Sequence, residues 1–328
     1  MNFLVSLFFI IKYVILEKKK RVFFFENKFI ETHILKNINK KDYDKSLALF
    51  FYKTDISKRF QNKLLIENKF LIEFFFLFIL KCKYLYSSTP DLDNSIFKRS
   101  IIFKIKYIYI QHSNISLTIA YSQNAFIFYD AIHVLNMFQY SEIIQINNIH
   151  KKKIKPFLLN QRKIYKSKII NQKKKILIAP TWGTDFYEEN FIYNLNNLLN
   201  DEFNLFLRPH YMSVAKNKII LKDYSKYINL AVEEFNLNEY DFLITDSSGI
   251  MFEFFLINYN KIIFIETTKK INNPDYKKYG IIPIELYAKD KIGKIFQKNQ
   301  ILDIKNYLMN SKDNTPSDIL PFKKLFFF

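Results

Sequence analysis

Residues 241–254 read DFLITDSSGIMFEF, and this stretch decides the fold. An apolar run typical of a buried strand stops at Thr-Asp-Ser-Ser-Gly and restarts at once as an apolar helix. A strand that enters a helix through such residues provides an N-cap, backbone N–H groups and hydroxyls that can hold a phosphate. Ordinary helix capping would explain the same residues, so both interpretations stay open for the stretch taken alone.

The sequence from residue 175 onward alternates between strand-like and helix-like patterns, which indicates βα units and a doubly wound parallel sheet. YEENFIYNLNNLLN (187–200) is predicted as an amphipathic helix with acidic residues in its first turn. The predicted strands are KILIAPT (175–181), NLFLRPH (204–210), a weaker KYINLAV (226–232), DFLIT (241–245) and KIIFIE (261–266).

An earlier part of the chain repeats this pattern. IIFKIKYIYIQHS (101–113) is predicted as a strand, and a short helix, a strand over about 131–135 and a second helix are predicted after it. The chain is therefore predicted to be α/β, with two Rossmann-like domains facing a cleft. The predicted boundaries are 1–150 for the first domain, with 1–95 unassigned, 151–174 for a charged linker and 175–328 for the second domain.

Candidate functional residues follow the predicted strands, where ligands bind in open parallel sheets. Arg208 and His210 provide a cation and an imidazole after one strand, although a surface ion pair and a satisfied histidine would also explain them. Trp182 is interpreted either as a base-stacking residue or, preferably, as an interface residue. The other candidates are His112, Thr181, Thr245, Asp246, Ser247, Ser248, Gly249 and Glu253.

Composition makes the rare residues informative. Lys+Arg number 50 against 31 Asp+Glu, a net charge of +19 that favours nucleic acid, an anionic membrane or a phosphate-rich substrate as partner. Lys, Asn, Ile and Phe are inflated whereas Gly and Arg are scarce, as in products of AT-rich genomes, so part of the charge reflects codon usage. Arg208 and Gly249 are therefore notable, because they belong to residue types that this codon usage makes scarce. The single Cys82 excludes an intramolecular disulfide and favours a cytoplasmic protein.

Two apolar stretches of the N-terminal region are shorter than a bilayer-spanning helix requires. MNFLVSLFFIIKYVILEKKKR (1–21) is interpreted as a buried strand or helix, with an interfacial membrane helix and a true span as alternatives. FLIEFFFLFILKCK (70–83) is predicted as a buried helix. A peripheral position on the inner face of the membrane is therefore an additional expectation, with the lysines near 17–20 and 150–175 as candidate contacts.

Three motifs in order, ILIAPTWG, LRPH and DFLITDSSGIMFEFFLINYNKIIF, resemble the C-terminal half of the CDP-glycerol glycerophosphotransferases, the teichoic-acid primase and polymerase group with a GT-B architecture. YIQHSNISLTIAYSQNAFIFYDAIHVLNMFQYSEI resembles the family's N-terminal half. The resemblance covers about residues 100–285. This chain departs from the family in three motifs. The family's Trp-His-Gly reads Gln111-His112-Ser113 here, and its His-Pro reads His210-Tyr211. Its Thr-Asp-Tyr-Ser-Ser reads Thr-Asp-Ser-Ser-Gly at 245–249.

The resemblance implies a function for each matched position. His112 falls at the catalytic base, which takes the proton of an acceptor hydroxyl as that oxygen attacks the β-phosphorus of CDP-glycerol and CMP leaves. His210 falls at a donor-phosphate contact, and residues 245–248 fall on the segment that cradles the pyrophosphate and glycerol. The first domain would take a glycan or lipid-linked acceptor and the second the donor, without a cofactor or metal.

Three other functions remain open. A GT-B glycosyltransferase would use the same cleft with a nucleotide sugar, and the altered motifs also permit an inactive scaffold of the same fold. A basic nucleic-acid-binding protein is disfavoured, because the 22 Tyr and 36 Phe fall mostly in runs typical of a core and no recognition helix is evident. Nucleic acid is therefore not expected as a partner.

Overall fold

The structure is a computed structural model that describes residues 2–15, 20–26, 46–52, 60, 62–93, 96–159, 173–188, 190–216, 219–231, 236–258 and 261–311. Its contacts divide the chain into two compact units. The first comprises Met1–His112, Leu117–Arg162 and Asn273–Ile281, and the second comprises Ser113–Ser116, Lys163–Asn272 and Ile282–Phe328. The chain therefore passes between the units more than once, and not only at the predicted linker.

The first unit is built on a seven-stranded parallel sheet with the order β3-β2-β1-β4-β5-β6-β7. Its strands are β1 (Arg21–Phe25), β2 (Leu47–Phe50), β3 (Asn62–Leu65), β4 (Tyr84–Ser87), β5 (Lys106–Ile110), β6 (Ala131–Val134) and β7 (Lys155–Leu158). Its helices are α1 (Asn2–Ile15), α2 (Lys69–Phe74), which continues as a π-helix (Phe75–Ile79), α3 (Leu117–Ala120), α4 (Met137–His150) and a 3-10 helix at Pro274–Tyr279.

The second unit has a six-stranded parallel sheet with the order β10-β9-β8-β11-β12-β13. Its strands are β8 (Lys174–Ile178), β9 (Phe203–Leu207), β10 (Asn229–Leu230), β11 (Phe242–Thr245), β12 (Ile262–Ile265) and β13 (Lys294–Phe296). Its helices are α5 (Phe191–Leu199), α6 (Tyr211–Lys216), α7 (Ile219–Tyr224), α8 (Ile250–Phe255), α9 (Ile284–Ile292) and α10 (Ile301–Asn310), with 3-10 turns at Asp185–Tyr187 and Leu237–Glu239.

Continuous burial explains why the central strands are apolar at consecutive positions. Every residue of β11 and β12 is buried, because helices cover both faces of a parallel sheet. Each fully buried Phe or Ile side chain contributes about 1.5–3 kcal/mol relative to exposure. The prediction of an α/β fold with parallel sheets is confirmed.

Several local predictions differ from the structure. The predicted helix at 187–200 begins only at Phe191, so Glu188 precedes it and does not lie in its first turn. The short helix predicted before residue 131 is wrong, because residues 123–128 form turns. The predicted linker begins at Lys151, whereas Lys155–Leu158 is a strand paired with β6. Residues 160–172 of that linker, and the candidate membrane contacts at 17–19, lie outside the described residues.

The N-terminal segment forms a helix, but it is not a buried one. Only the side of α1 that carries Ser6, Ile10 and Tyr13 is covered, and apolar side chains on the other side are exposed. Phe70 and Phe74 of the second apolar stretch are also exposed, so that helix is buried on one side only. Among the helices that the structure describes, none has the length and hydropathy needed to cross a bilayer.

A pH-dependent stability is expected from His133 on β6, whose ring lies 6.1 Å from that of Tyr86 and 5.8 Å from that of Phe157. Burial lowers the pKa of His133 to about 4. Below pH ~6.5 the unfolded chain binds a proton at this residue that the folded chain lacks, so stability falls as the pH drops from ~6.5 towards 4, by at most ~1.4 kcal/mol per pH unit.

The variant His133→Phe keeps an aromatic ring in this position and removes the titration. Urea unfolding at pH 7 and pH 5 is expected to show a smaller loss of stability for the variant than for the wild type. An equal loss in both proteins would show that His133 is not the residue responsible.

Candidate functional site

The candidate site of the second unit lies at the carboxyl ends of three neighbouring strands. β9 pairs with β8, and β8 pairs with β11. Arg208 and His210 follow β9, Thr181 and Trp182 follow β8, and Asp246–Gly249 follow β11. These residues were predicted to lie at strand ends, and the sheet order places those ends side by side at one edge.

Asp246 holds two of these loops together. Its Oδ1 accepts hydrogen bonds from the backbone N–H of Thr181 at 2.8 Å and of Ser247 at 2.6 Å, and its Oδ2 accepts one from Thr184 Oγ1 at 2.9 Å. Asp246 is fully buried. Because a carboxylate saturated with donors stabilises the loop and repels an anion, this geometry supports a positioning role for Asp246 and not a direct contact with phosphate.

Thr245 has a similar structural role. It is fully buried, and its hydroxyl donates to the carbonyl of Ala179 at 2.7 Å. The bond ties the end of β11 to the start of the loop that carries Thr181. Ser247, Ser248 and Gly249 are only half-buried, so they are the residues of this segment that remain accessible.

Arg208 and His210 are oriented by their surroundings. Burial lowers the pKa of Arg208, whereas the nearby carboxylate of Glu253 raises it. The negative charge of Glu253 thus acts on the guanidinium and favours its charged form. His210 Nδ1 accepts the N–H of Met212 at 3.1 Å, so a neutral His210 carries its proton on Nε2 and can donate it to a ligand.

Trp182 lies beside His210. Its ring centroid is 6.4 Å from that of His210, and Lys270 Nζ lies 3.2 Å from the centre of the indole ring. A lysine at this distance over the indole is a cation–π contact. Lys270 was not among the predicted residues, since one lysine among so many gives no sequence signal; only its place after β12 could have indicated it.

Lys289 on α9 was also missed. Burial lowers its pKa, whereas the carboxylates of Glu266 and Asp246 raise it. The charges of Glu266 and Asp246 thus act on the Lys289 ammonium group. Nothing in the sequence pattern of α9 distinguishes Lys289 from Lys291, because the electrostatic environment of Lys289 depends on the tertiary structure.

His112 follows β5 of the first sheet, next to the fully buried Gln111. Gln111 Oε1 accepts the backbone N–H of His112 at 3.1 Å and the hydroxyl of Tyr121 at 3.2 Å. Burial lowers the pKa of His112 to about 4, so the imidazole is neutral at physiological pH and able to accept a proton.

The segment after His112 is anchored by two buried carboxylates. Glu285 on α9 accepts the N–H of Ser116 at 2.7 Å. Glu142 on α4 accepts the N–H of Leu117 at 2.7 Å and the Thr118 hydroxyl at 2.7 Å. Neither glutamate was predicted, because capping of one segment by a distant helix leaves no local pattern.

Gly249 allows the same segment to approach the loop after β11. A Cβ atom on Gly249 would lie 2.9 Å from Ile115 Cγ2 and even closer to the Ser113 hydroxyl. Its backbone φ is −58°, which any residue adopts, so the requirement for glycine here is one of space and not of backbone conformation.

Comparison with known proteins identifies the family. The sequence model described as CDP-Glycerol:Poly(glycerophosphate) glycerophosphotransferase matches residues 159–323, half of the chain. The chain belongs to this family. The match includes all the strands of the second sheet and the three loops described above. A comparison with curated protein sequences gives no match.

The solved structures that resemble this chain are distant from it in sequence. HepE of Anabaena, in complex with UDP and glucose, is 10% identical with a TM-score of 0.57, covering 94% of this chain and 95% of its own. A putative UDP-N-acetylglucosamine 2-epimerase from Listeria monocytogenes is 11% identical with a TM-score of 0.54, covering 91% and 90%. The wall teichoic acid polymerase TagF is 13% identical with a TM-score of 0.44, covering 80% and 78%.

The fold is thus of the GT-B type, as the sequence predicted. Its family identifies the chain as a transferase of surface-polymer biosynthesis.

Proposed function

We propose that this chain transfers glycerol phosphate from CDP-glycerol to an acceptor hydroxyl and releases CMP. The observation that carries the proposal is the grouping of Arg208, His210 and the 246–249 loop on adjacent strand ends within the part of the chain that matches the family. The Arg208 guanidinium and the Nε2–H of a neutral His210 would provide donors for phosphate oxygens. The hydroxyls of Ser247 and Ser248 add two more.

In the proposed reaction, His112 takes the proton of the acceptor hydroxyl while its oxygen bonds to the β-phosphorus of CDP-glycerol. The bond between that phosphorus and the bridging oxygen breaks, and the oxygen leaves on CMP. Arg208 and His210 stabilise the negative charge that develops on the leaving phosphate. Asp246 and Glu253 hold the loop and the guanidinium in place without touching the donor.

The acceptor is proposed to be a glycan or lipid-linked hydroxyl of a surface polymer, and the enzyme to work in the cytoplasm at the inner face of the membrane. The net charge of +19 supports association with an anionic surface. A nucleotide sugar is the second candidate donor, because Ser247 and Gly249 replace the Tyr and Ser of the family pattern in the segment assigned to the glycerol end.

Donor binding can be measured with Trp182, the only tryptophan of the chain, whose ring lies 6.4 Å from that of His210. CMP and CDP-glycerol are expected to change its fluorescence saturably, and calorimetry provides a second measure. His210→Ala is expected to weaken binding about tenfold or more, because a charge-assisted hydrogen bond to phosphate is lost.

The matched control is His150→Ala, which removes a histidine hydrogen-bonded to Tyr279 in the first unit. It is expected to leave the Kd unchanged. A response to UDP-N-acetylglucosamine or GDP-mannose alone would establish the nucleotide-sugar alternative. Binding of none of these nucleotides would refute the donor site, and binding without turnover would indicate an inactive scaffold.

A further inference from the structure

The outward side of α1 is apolar. Leu4, Phe8, Ile11 and Ile15 are 71%, 62%, 52% and 79% exposed. Their spacing of four, three and four residues places them in one row along the helix, opposite the side that packs on the unit. A helix that faces only water normally carries charged residues in this row, and α1 has no acidic residue at all.

A second apolar row lies next to the first. Ser6 Oγ on α1 accepts the N–H of Asn68 at 3.3 Å, and the Tyr13 hydroxyl donates to the carbonyl of Lys81 at 2.9 Å. Helix α1 therefore runs alongside α2 and the π-helix from beginning to end. That neighbouring element exposes Phe70 (71%), Phe74 (42%) and Phe78 (37%).

A short loop extends this surface. The N–H of Ile101 donates to the carbonyl of Leu77 at 3.1 Å, which brings the loop to the π-helix. Ile101 and Ile102 are 69% and 59% exposed. We define the outward row of α1, the three phenylalanines and these two isoleucines as the apolar face. A contiguous surface of this kind marks an interaction site, since single exposed apolar residues are common but clusters are not.

Cationic side chains occur on the same elements as the apolar face. Lys12, Lys69, Lys81 and Lys104 are exposed. Within the described part of the chain, none of these four lysines makes an ion pair. The acidic residues of the neighbouring element, Glu67 and Glu73, are half-buried. The surface therefore combines apolar side chains with exposed lysines, which matches the charge and polarity of an anionic lipid surface.

We propose that the apolar face inserts into the interface of an anionic phospholipid bilayer, with α1 lying in the plane of the membrane. Helix α1 has 14 residues, about 21 Å at 1.5 Å per residue, less than the ~30 Å of the hydrocarbon core. The inference rests on the proposed membrane association and names the surface responsible. A second copy of the chain fits less well, because a two-fold interface would bring the same lysines together.

The test is flotation of the full chain with vesicles of phosphatidylcholine alone or mixed with phosphatidylglycerol. The wild type is expected to bind the anionic vesicles at least about tenfold better than the neutral ones, with a dependence on salt. Phe8→Gln/Ile11→Gln is expected to lose at least about tenfold of this binding without loss of folding, because both side chains are exposed. Lys12→Gln/Lys69→Gln is expected to lose about fivefold per lysine on anionic vesicles only.

The matched control is Leu302→Gln/Met309→Gln on α10, which replaces two apolar residues that are 62% and 55% exposed in the second unit. It is expected to bind as the wild type does. Equal binding by Phe8→Gln/Ile11→Gln and wild type would overturn the proposal. So would failure of the wild type to bind anionic vesicles, or a dimer that the same variant converts to a monomer.

Trp182 fluorescence with CMP, measured on the same samples, separates this inference from the donor proposal. Unchanged nucleotide binding by the Phe8→Gln/Ile11→Gln variant is expected. If the wild type binds vesicles but no nucleotide, the donor proposal fails and the membrane surface stands.

Discussion

The variant His112→Ala is expected to transfer glycerol phosphate at least about 10²-fold more slowly than the wild type, with CMP and CDP-glycerol bound as before. Loss of the general base leaves the acceptor hydroxyl with its proton during attack on the phosphorus. The donor-binding residues lie in the second unit and are untouched by the substitution, so the defect appears in kcat and not in the Kd for the donor. CMP release in single turnover and the Trp182 titration measure the two quantities.

The pH dependence of the wild type gives an independent test of the same residue. Burial lowers the pKa of His112 to about 4, so kcat/KM is expected to stay level through the region near pH 6.5, where an ordinary histidine would become protonated. Negative charge on a bound donor favours the protonated ring, so the acidic limb of kcat is expected at higher pH than that of kcat/KM.

The control is His133→Phe, which replaces another half-buried histidine of the first sheet and is expected to leave kcat unchanged. An acidic limb of kcat/KM near pH 6.5 would contradict a desolvated His112. Retention of most of the activity by His112→Ala would remove this residue from the proposed reaction.

The strand ends of the second sheet could be predicted because the local pattern there agrees with the tertiary structure. DFLIT, KIIFIE and NLFLRPH are apolar at consecutive positions, and the polar residue that ends each run marks the carboxyl edge. Parallel strands share that edge, so the sequence also predicted that Arg208 and Asp246 belong to one region. The pairing of β8 with both β9 and β11 confirms the adjacency.

The roles of individual side chains at that edge were less predictable. In the sequence, Asp246 could be a helix cap or a phosphate contact. Only the structure shows that its carboxylate accepts hydrogen bonds from Thr181, Ser247 and Thr184. Lys270, whose ammonium group lies over the Trp182 ring, is distant from it in sequence. A carboxylate or ammonium group acquires such a partner through the fold, which a local pattern does not encode.

The first hundred residues gave no assignment for a different reason. Their described part includes four strands of the first sheet and the helices α1 and α2, yet this stretch of sequence has no glycine and its first proline is Pro90. Without these residues, the boundaries between strands and helices are not marked. The exposed side of α1 adds to the difficulty, since it is apolar like the covered side and resembles a buried segment in the sequence.

The contact between Gly249 and Ser113 relates two of the departures from the family motifs to each other. The family pattern has glycine after the histidine and serine at the fifth position of Thr-Asp-Tyr-Ser-Ser, whereas this chain has Ser113 and Gly249. A Cβ on Gly249 would collide with the Ser113 hydroxyl, so the two positions share one small space. With serine at 113 and glycine at 249, a single side chain occupies this space, as it would if the glycine and serine were exchanged.

Gly249→Ala is therefore expected to lower transfer about 10²-fold by displacing the segment that follows His112, since a shift of ~1 Å in a reacting group has an effect of that size. The second substitution Ser113→Gly removes the nearer clash and is expected to restore at least about tenfold of the rate in the double variant. The recovery is expected to be incomplete, because the added methyl would still lie 2.9 Å from Ile115 Cγ2. Ser113→Gly alone is expected to remain close to wild type.

The double-mutant cycle separates this contact from a general loss of stability. Urea unfolding of all four proteins is the companion measurement, and Gly183→Ala is the control, because an added Cβ there meets nothing within 4 Å although φ is +76°. That control is expected to lose only about 1 kcal/mol of stability and little activity. Strictly additive effects of Gly249→Ala and Ser113→Gly would show that the two positions do not share the space.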